Sequence, residues 1–224
     1  MDEQNPLKNF FYSENHRFVY KWKHYLDHYH KHFSVYRDKA LLGQPIKMLE
    51  IGVFRGGSLQ MWQDYFGTNL KLIGMDIEPY TKRYESENVF IEIGDQNDPH
   101  FLKYVIDKYG PFDIILDDGG HRMDQQITSL KILWDGVKCG GIYLCEDTHT
   151  SYWSEYGGSL HGPDTFMEFS KLWVDKLNFH HSRGSVKEND PTLLGIHYYD
   201  SMVFFDKAPN PLPKPTDEMH GQLL

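Results

Sequence analysis

The chain has 224 residues, and its 23 basic and 32 acidic side chains give a formal net charge of −9 at pH 7. This length allows one domain with a substantial core, and the acidic balance argues against a protein that binds nucleic acid over a broad basic face. Since 40% of the residues are hydrophobic and 25% are charged, the composition is that of a soluble globular protein. No secretory signal or membrane-spanning stretch is evident, so we expect a cytoplasmic protein that does not bind membranes. Cys139 and Cys145 lie around one predicted strand and are expected to be free thiols.

Aromatic residues recur at helical spacing near the N-terminus and predict a helix over residues 15–36. They are Phe18, Trp22, Tyr25, Tyr29, Phe33 and Tyr36. On another face, His24, His28 and His32 follow one another at steps of four. Such spacing could hold a transition metal, but a solvated polar face is the interpretation that the pattern favours.

After Pro45, short apolar runs alternate with helical patterns. Runs with little polar alternation predict strands over residues 48–53, 70–77, 89–94, 112–116 and 141–145. Amphipathic patterns between them predict helices over residues 58–66, 100–109 and 125–137. This alternation predicts an α/β fold with a doubly wound, Rossmann-like sheet.

The final third departs from this alternation. Residues 165–177 predict another helix, whereas residues 179–182 and 196–206 predict two strands with no helix between them, so they should pair antiparallel. We therefore expect seven strands with a C-terminal antiparallel hairpin. The expected organisation is an N-terminal helical arm over residues 1–44, a sheet domain over residues 45–207 and a Pro-rich tail over residues 208–224.

The ends of the first three predicted strands carry features of a nucleoside-binding site. The first strand leads through Glu50 and Gly52 into a glycine-rich turn and a helix, where a ligand can approach the backbone closely. Asp76 ends the second strand and could accept hydrogen bonds from ribose hydroxyls, while Asp95 and Gln96 follow the third strand and could contact an adenine edge. The glycine spacing is G-x-x-x-G-G, which weakens a nicotinamide interpretation because the dinucleotide motif is G-x-G-x-x-G.

Four carboxylates follow the fourth and fifth predicted strands. They are Asp117, Asp118, Glu146 and Asp147. If these strands are neighbours, the acids crowd one region, which is unfavourable unless protons or a cation compensate the charge. A hard divalent ion with oxygen ligands would do so, whereas helix caps or a solvated surface are the alternative. His121 lies three residues beyond Asp118 and could take a proton from a hydroxyl bound to such an ion.

Together these motifs resemble the class I S-adenosylmethionine-dependent methyltransferases. The run over residues 140–153 is similar to the metal-dependent sugar O-methyltransferases of macrolide biosynthesis, and cephalosporin-hydroxylase-like proteins share the core. The resemblance covers about residues 20–207, so residues 45–207 would form the S-adenosylmethionine-binding catalytic domain. The macrolide enzymes carry a larger N-terminal auxiliary domain, of which this chain has only a short arm.

The resemblance implies a role for each motif. Asp118, Glu146 and Asp147 would hold Mg²⁺, or another divalent ion, and His121 would be the general base. The cofactor pocket would be lined by Glu50, Gly52, Ser58, Asp76, Asp95, Gln96 and Asp117. His24, Tyr25 and Tyr29 match a family pattern in the N-terminal helix, which would close over the cofactor, so both tyrosines join the cofactor-binding set.

The implied reaction is methyl transfer from S-adenosylmethionine to a hydroxyl of a sugar, glycan or glycosylated metabolite that carries neighbouring hydroxyls. Tyr152, Trp153 and Tyr156 could form an apolar wall against a sugar face, or could pack under a loop.

Three alternatives remain open at this stage. They are a nicotinamide-dependent oxidoreductase, a catalytically silent cofactor-binding domain, and an RNA partner that uses a basic arm of Arg17, Lys21, Lys23 and Lys31. The acceptor is not identified, and the oligomeric state is open, with a homo-oligomer among the alternatives.

Overall fold

A computed structural model of the protein describes residues 5–183, 185, 186 and 190–209. The predicted Pro-rich tail lies outside these residues from position 210 onward. The α-helices are α1 Pro6–Phe11, α2 Tyr25–Leu41, α3 Gly57–Phe66, α4 Pro99–Tyr109, α5 Met123–Leu133 and α6 Phe166–Leu177. The strands are β1 Ile46–Ile51, β2 Leu70–Asp76, β3 Val89–Ile93, β4 Phe112–Asp117, β5 Val137–Glu146, β6 Leu193–Tyr199 and β7 Met202–Lys207.

The seven strands form one sheet in the order β3-β2-β1-β4-β5-β7-β6. Neighbouring strands from β3 to β5 pair in parallel, whereas β7 pairs antiparallel with both β5 and β6. The predicted doubly wound sheet with a C-terminal antiparallel hairpin is therefore confirmed. The strand order reverses between β1 and β4, and a ligand crevice is expected beyond the carboxyl ends of these strands.

The strands are apolar because helices cover both faces of the sheet. Along β1, Met48 faces the layer of α2 and α3, and the next residue, Leu49, faces the layer of α4, α5 and α6. All of β1 except Lys47 is buried, which explains the run without polar alternation. The carboxyl edge of the sheet is thus left as the place where polar side chains gather.

Helix α2, which carries most of the aromatic stripe, begins at Tyr25, so the prediction of a helix from residue 15 is wrong. Residues 17–22 have no regular secondary structure. Their aromatic side chains contact distant loops, since Phe18 packs against Phe54 and Trp22 stacks on His149. These long-range contacts, which periodicity does not reveal, override the helical pattern. The proposed boundary between an arm and a sheet domain at residue 45 remains a prediction.

Two predictions in the final third are also wrong. The predicted strand over 179–182 is a single 3-10 turn, Phe179–His181. The predicted single strand over 196–206 lies within the hairpin of β6 and β7, whose strands are joined by Asp200 and Ser201. Ser201 has a φ of 63°, a conformation that the turn requires but that serine seldom signals in a sequence.

Cys139 is exposed, Cys145 is buried and both are free thiols, as expected. Among the described residues, no helix combines the length and the apolar character needed to cross a membrane.

Candidate functional site

A cavity of about 770 Å³ lies at the carboxyl edge of the sheet. The loops that follow all five parallel strands line it, and the irregular segment over residues 17–22 lies along one side. Of the residues that the sequence predicted for the site, seven line this cavity, namely Gly52, Asp76, Asp95, Gln96, Asp118, His121 and Asp147. The fold therefore brings the predicted nucleoside-binding residues and part of the acidic cluster to one cavity.

The glycine turn after β1 passes unusually close to the loop after β4. Gly52 has a φ of 92°, and a Cβ at this position would lie 2.0 Å from the carbonyl oxygen of Asp118. Only glycine fits this close approach. Asp76 holds the same turn from β2, because its Oδ2 accepts hydrogen bonds at 2.9 Å from the backbone N–H groups of Val53 and Phe54. Asp76 thus shapes the turn as well as lining the cavity.

Gln96 joins the loop after β3 to the loop after β4. Its Nε2 donates to Asp117 Oδ1 at 3.1 Å, and its Oε1 accepts from the backbone N–H of Gly120 at 2.7 Å. A Cβ on Gly119 would lie 2.0 Å from the same Oε1. Asp95 is exposed at the cavity and accepts from the backbone N–H of Asn97.

Glu50 and Asp117 lie beneath the cavity, and neither lines it. Glu50 is fully buried and accepts a hydrogen bond from Trp62 Nε1 at 3.1 Å, while its Oε2 has no partner. Burial, opposed by the positive charge of Lys21, raises the pKa of Glu50 to about 7. Burial likewise raises the pKa of Asp117 to about 6, against the hydrogen bond from Gln96. Ser58, at the start of α3, is half-buried and outside the lining residues.

Asp118, His121 and Asp147 come together on one side of the cavity. Each offers one potential ligand atom, and these atoms all lie within 4.8 Å of one another. His121 Nε2 is 3.4 Å from Asp147 Oδ2, whereas His121 Nδ1 is buried without a partner. The hydroxyl of Thr150 lies 2.8 Å from the carbonyl oxygens of both His121 and Asp147, so it ties the two loops together.

Glu146 is fully buried next to this cluster, and α2 and the segment before it supply its partners. Tyr29 donates its hydroxyl hydrogen to Glu146 Oε1, and Lys21 Nζ lies 2.7 Å from Glu146 Oε2. Burial raises the pKa of Glu146, although the charge of Lys21 opposes this rise. Tyr25 donates to Asp147 Oδ1 at 2.6 Å. Both tyrosine hydroxyls therefore contact acids of the cluster, and neither tyrosine is among the residues that line the cavity.

Lys21 also contacts the acids of the site, although its place in the sequence indicated only a basic arm. Its Nζ also lies 2.5 Å from Asp118 Oδ2, and only 3% of its side chain is exposed. Burial alone would lower the pKa of Lys21, but the charges of Asp118, Glu146 and Glu50 raise it above the ordinary value. The side chain is therefore a buried ammonium. A Lys21 in this position cannot belong to an exposed basic face, so the structure does not favour the RNA-binding alternative.

An aromatic rim borders the cavity. Trp22 stacks on His149 with ring centroids 4.7 Å apart, and Trp153 meets the same imidazole edge-on at 4.5 Å. Trp153 and Tyr156 line the cavity as the sequence suggested, whereas Tyr152 is 54% exposed and does not. In the sequence, Trp22 belongs only to the helical aromatic stripe, and His149 is one member of the run over residues 140–153. The run of aromatic residues around His149 in the sequence was the only available signal.

Comparisons with known proteins agree with this arrangement. No protein-family model matches the chain. The chain is 36% identical over 197 residues to the demethylmacrocin O-methyltransferase of Streptomyces fradiae and 34% identical over 200 residues to the mycinamicin VI 2''-O-methyltransferase of Micromonospora griseorubida. Each alignment covers 82% of the chain and 48% of the relative. The chain is a homologue of these O-methyltransferases. It spans about half the length of the curated relatives it matches.

The solved structures support the same relationship. The MycE methyltransferase from the mycinamycin biosynthetic pathway, solved in complex with Mg, SAH and mycinamycin VI, superposes with a TM-score of 0.79 at 29% sequence identity. The match covers 95% of this chain and 55% of that one. The fold is therefore the Rossmann-like fold of that methyltransferase, as the sequence resemblance implied.

Proposed function

We propose that this protein is an S-adenosylmethionine-dependent O-methyltransferase that uses a divalent ion, Mg²⁺, and methylates a hydroxyl of a sugar, glycan or glycosylated metabolite. The observation that carries the proposal is the meeting of Asp118, His121 and Asp147 beside the turn of Gly52 and Asp76 in one cavity. The relatives support the reaction class, since all are named O-methyltransferases, and the names of two describe a rhamnosyl and an L-olivosyl compound as the substrate. The cytoplasmic location remains a prediction.

The cavity fits S-adenosylmethionine in size and in the character of its walls. A volume of about 770 Å³ is in the range of small-molecule cofactor sites. Gly52 and Gly119 let the loops after β1, β3 and β4 approach one another closely, which brings the walls of the cavity together. Asp76 offers a carboxylate at the end of β2, where ribose hydroxyls are expected to bind in this fold, and Asp95 and Gln96 follow β3, where they could contact an adenine edge.

Glu50, Ser58 and Asp117 do not line the cavity and would support the cofactor pocket from beneath it. Glu50 lies within β1, and Ser58 is close enough to lower its pKa. Asp117 and Gln96 share a hydrogen bond and fix the loop over residues 118–121. We assign these residues to the support of the cofactor pocket, and Tyr25 and Tyr29 to the support of the acids.

The acidic cluster fits a hard divalent ion. Asp118 and Asp147 present carboxylate oxygens close together. Glu146 is the neighbouring acid, and Lys21 forms ion pairs with both Glu146 and Asp118. Oxygen ligands of this kind are those that Mg²⁺ prefers. Asp118, Glu146 and Asp147 would hold the ion, whose positive charge would lower the pKa of an acceptor hydroxyl.

His121 is suited to remove the proton of that hydroxyl. Its Nδ1 is buried, so Nε2 is the nitrogen that can take up a proton from the cavity. Asp147 Oδ2 lies 3.4 Å from Nε2 and would stabilise the imidazolium that results. His121 would thus act as the general base. Trp153 and Tyr156, which line the cavity at the aromatic rim, would contact the acceptor.

The test separates cofactor binding from chemistry. Titration calorimetry with S-adenosylhomocysteine, with and without Mg²⁺, should show binding to the wild-type protein. His121→Ala should keep this binding but lose about 10²- to 10⁴-fold in methyl transfer from labelled S-adenosylmethionine to a panel of glycosylated macrolides and simple glycosides. Absence of any heat with millimolar S-adenosylhomocysteine would refute the cofactor assignment. Binding of NAD instead would favour the oxidoreductase alternative. Cofactor binding without transfer to any acceptor of the panel would favour the silent domain.

A further inference from the structure

Lys21 places a positive charge at the point where the proposed metal site needs one. Its Nζ bridges Asp118 Oδ2 at 2.5 Å and Glu146 Oε2 at 2.7 Å, and the side chain is 97% buried, since only 3% is exposed. Without compensation, the fully buried carboxylate of Glu146 beside the partly buried carboxylate of Asp118 would be destabilising. The bridging ammonium therefore neutralises part of the negative charge of Asp118 and Glu146.

The segment that carries Lys21 is also a wall of the cavity. Phe18, Tyr20 and Trp22 line the cavity on one side. The segment has no helix or strand of its own to hold it. Its anchors include the backbone N–H of Arg17, which donates to Gln60 Oε1 at 2.7 Å, the contact of Phe18 with Phe54, the stack of Trp22 on His149, and Lys21 itself. The bridge made by Lys21 is the ionic anchor of the segment, near its C-terminal end.

A divalent ion and the ammonium need the same oxygens. Asp118 and Glu146 belong to the ligand set that the resemblance implies, and both are engaged by Lys21 on their Oδ2 and Oε2 atoms. Two cations packed against one pair of oxygens repel each other strongly where water is excluded. Occupancy of the carboxylates by one cation therefore opposes occupancy by the other.

We propose that Lys21 is a built-in counter-cation that competes with the divalent ion, so that ion binding releases Lys21 from Asp118 and Glu146 and loosens the cavity wall over residues 17–22. This inference rests on the metal site of the proposed function. Ion binding and release of the wall are coupled in both directions. The free energy by which the ion weakens the contacts of Lys21 equals the free energy by which these contacts weaken ion binding. The loosened wall would admit or release ligands of the cavity when the ion is bound.

The first experiment measures Mn²⁺ affinity by calorimetry for the wild type, Lys21→Met and Lys23→Met. Lys23 is exposed two residues away and offers the same change of net charge as a matched control. Lys21→Met should bind Mn²⁺ about tenfold more tightly or better, whereas Lys23→Met should match the wild type. Equal or weaker binding by Lys21→Met overturns the competition but leaves the metal site intact. No Mn²⁺ binding by any of the three proteins overturns both this inference and the metal role in the proposed function.

The second experiment uses the wild-type protein, so it stands even if Lys21→Met folds poorly without metal. Hydrogen exchange of the backbone amides over residues 17–22 is followed with and without saturating Mn²⁺. Faster exchange in this segment with Mn²⁺, and no change across β1, is the expected result. Unchanged or slower exchange of the segment would show that the ion binds without displacing Lys21, and would overturn the proposal. Binding of S-adenosylhomocysteine, measured separately, keeps the cofactor assignment independent of either outcome.

Discussion

Glu50 should give the protein a stability that declines as pH rises from 5 to 8. Its pKa is about 7 in the folded protein, because burial disfavours the charged form, against an ordinary value of 4.5. Between these two values the folded state binds more protons than the unfolded state, so the free energy of unfolding falls with increasing pH. At about 1.4 kcal/mol for each pKa unit, the decline from pH 5 to pH 8 amounts to about 2 to 3 kcal/mol.

Urea unfolding of the metal-free, cofactor-free protein at pH 5 and pH 8 measures this effect. Glu50→Gln carries no titrating group, so its free energy of unfolding should lack this part of the pH dependence. The wild type should therefore lose about 2 to 3 kcal/mol relative to Glu50→Gln over this range. Glu87→Gln, a change at an exposed glutamate, should follow the wild type. Parallel curves for the wild type and Glu50→Gln would show that Glu50 is ionised or solvated throughout, against the burial argument.

The remaining predictions concern the backbone at the cavity and a histidine far from it. Gly52→Ala should cost at least about 3 kcal/mol of stability, since its Cβ would meet the Asp118 carbonyl, whereas Gly43→Ala, with a φ of 85° but open space around it, should cost about 1 to 2 kcal/mol. Equal losses in urea unfolding would contradict the close approach. Burial lowers the pKa of His32 to about 4, so the unfolded state binds more protons below pH 6.5 and stability falls as the pH falls. Between pH 7 and pH 5, the free energy of unfolding of His32→Gln should fall by about 1 kcal/mol less than that of the wild type, a value reduced for the partial exposure of the ring. Identical pH dependence of urea unfolding for the two proteins would refute this.

The sheet and much of the site could be predicted because both follow from local patterns. Strands covered on two faces need apolar runs, and Asp76, Asp95 and Asp118 lie at the ends of such runs or within two residues beyond them. Parallel strands end at one edge, so the sequence positions of these acids already imply that they lie near one another. The prediction of seven strands followed from the same reasoning, even though the bounds of the last two were wrong.

The contributions of residues 17–22 could not be predicted, because tertiary contacts decide their structure. Phe18 and Trp22 continue the helical spacing of α2, yet contacts with Phe54 and His149 draw them away from its axis. Lys21 reaches acids that lie 97 and 125 residues further along the chain. A lysine within a basic, aromatic segment resembles a solvated residue, and only the fold reveals that it is buried.

Hydrogen bonds from α2 reach one oxygen of Asp147 and one oxygen of Glu146, and this affects which oxygens these acids can offer to an ion. Tyr25 engages Asp147 Oδ1 and Tyr29 engages Glu146 Oε1, and burial raises the pKa of both phenols, so they remain donors across the working pH range. Asp147 Oδ2 and Glu146 Oε2 are the oxygens without a tyrosine donor and would be the ones most available to a cation. One oxygen from each acid suits the small, octahedral Mg²⁺ ion, whereas Ca²⁺ commonly takes carboxylates with both oxygens. In the proposed metal site, two tyrosines on a neighbouring helix would therefore favour the smaller ion.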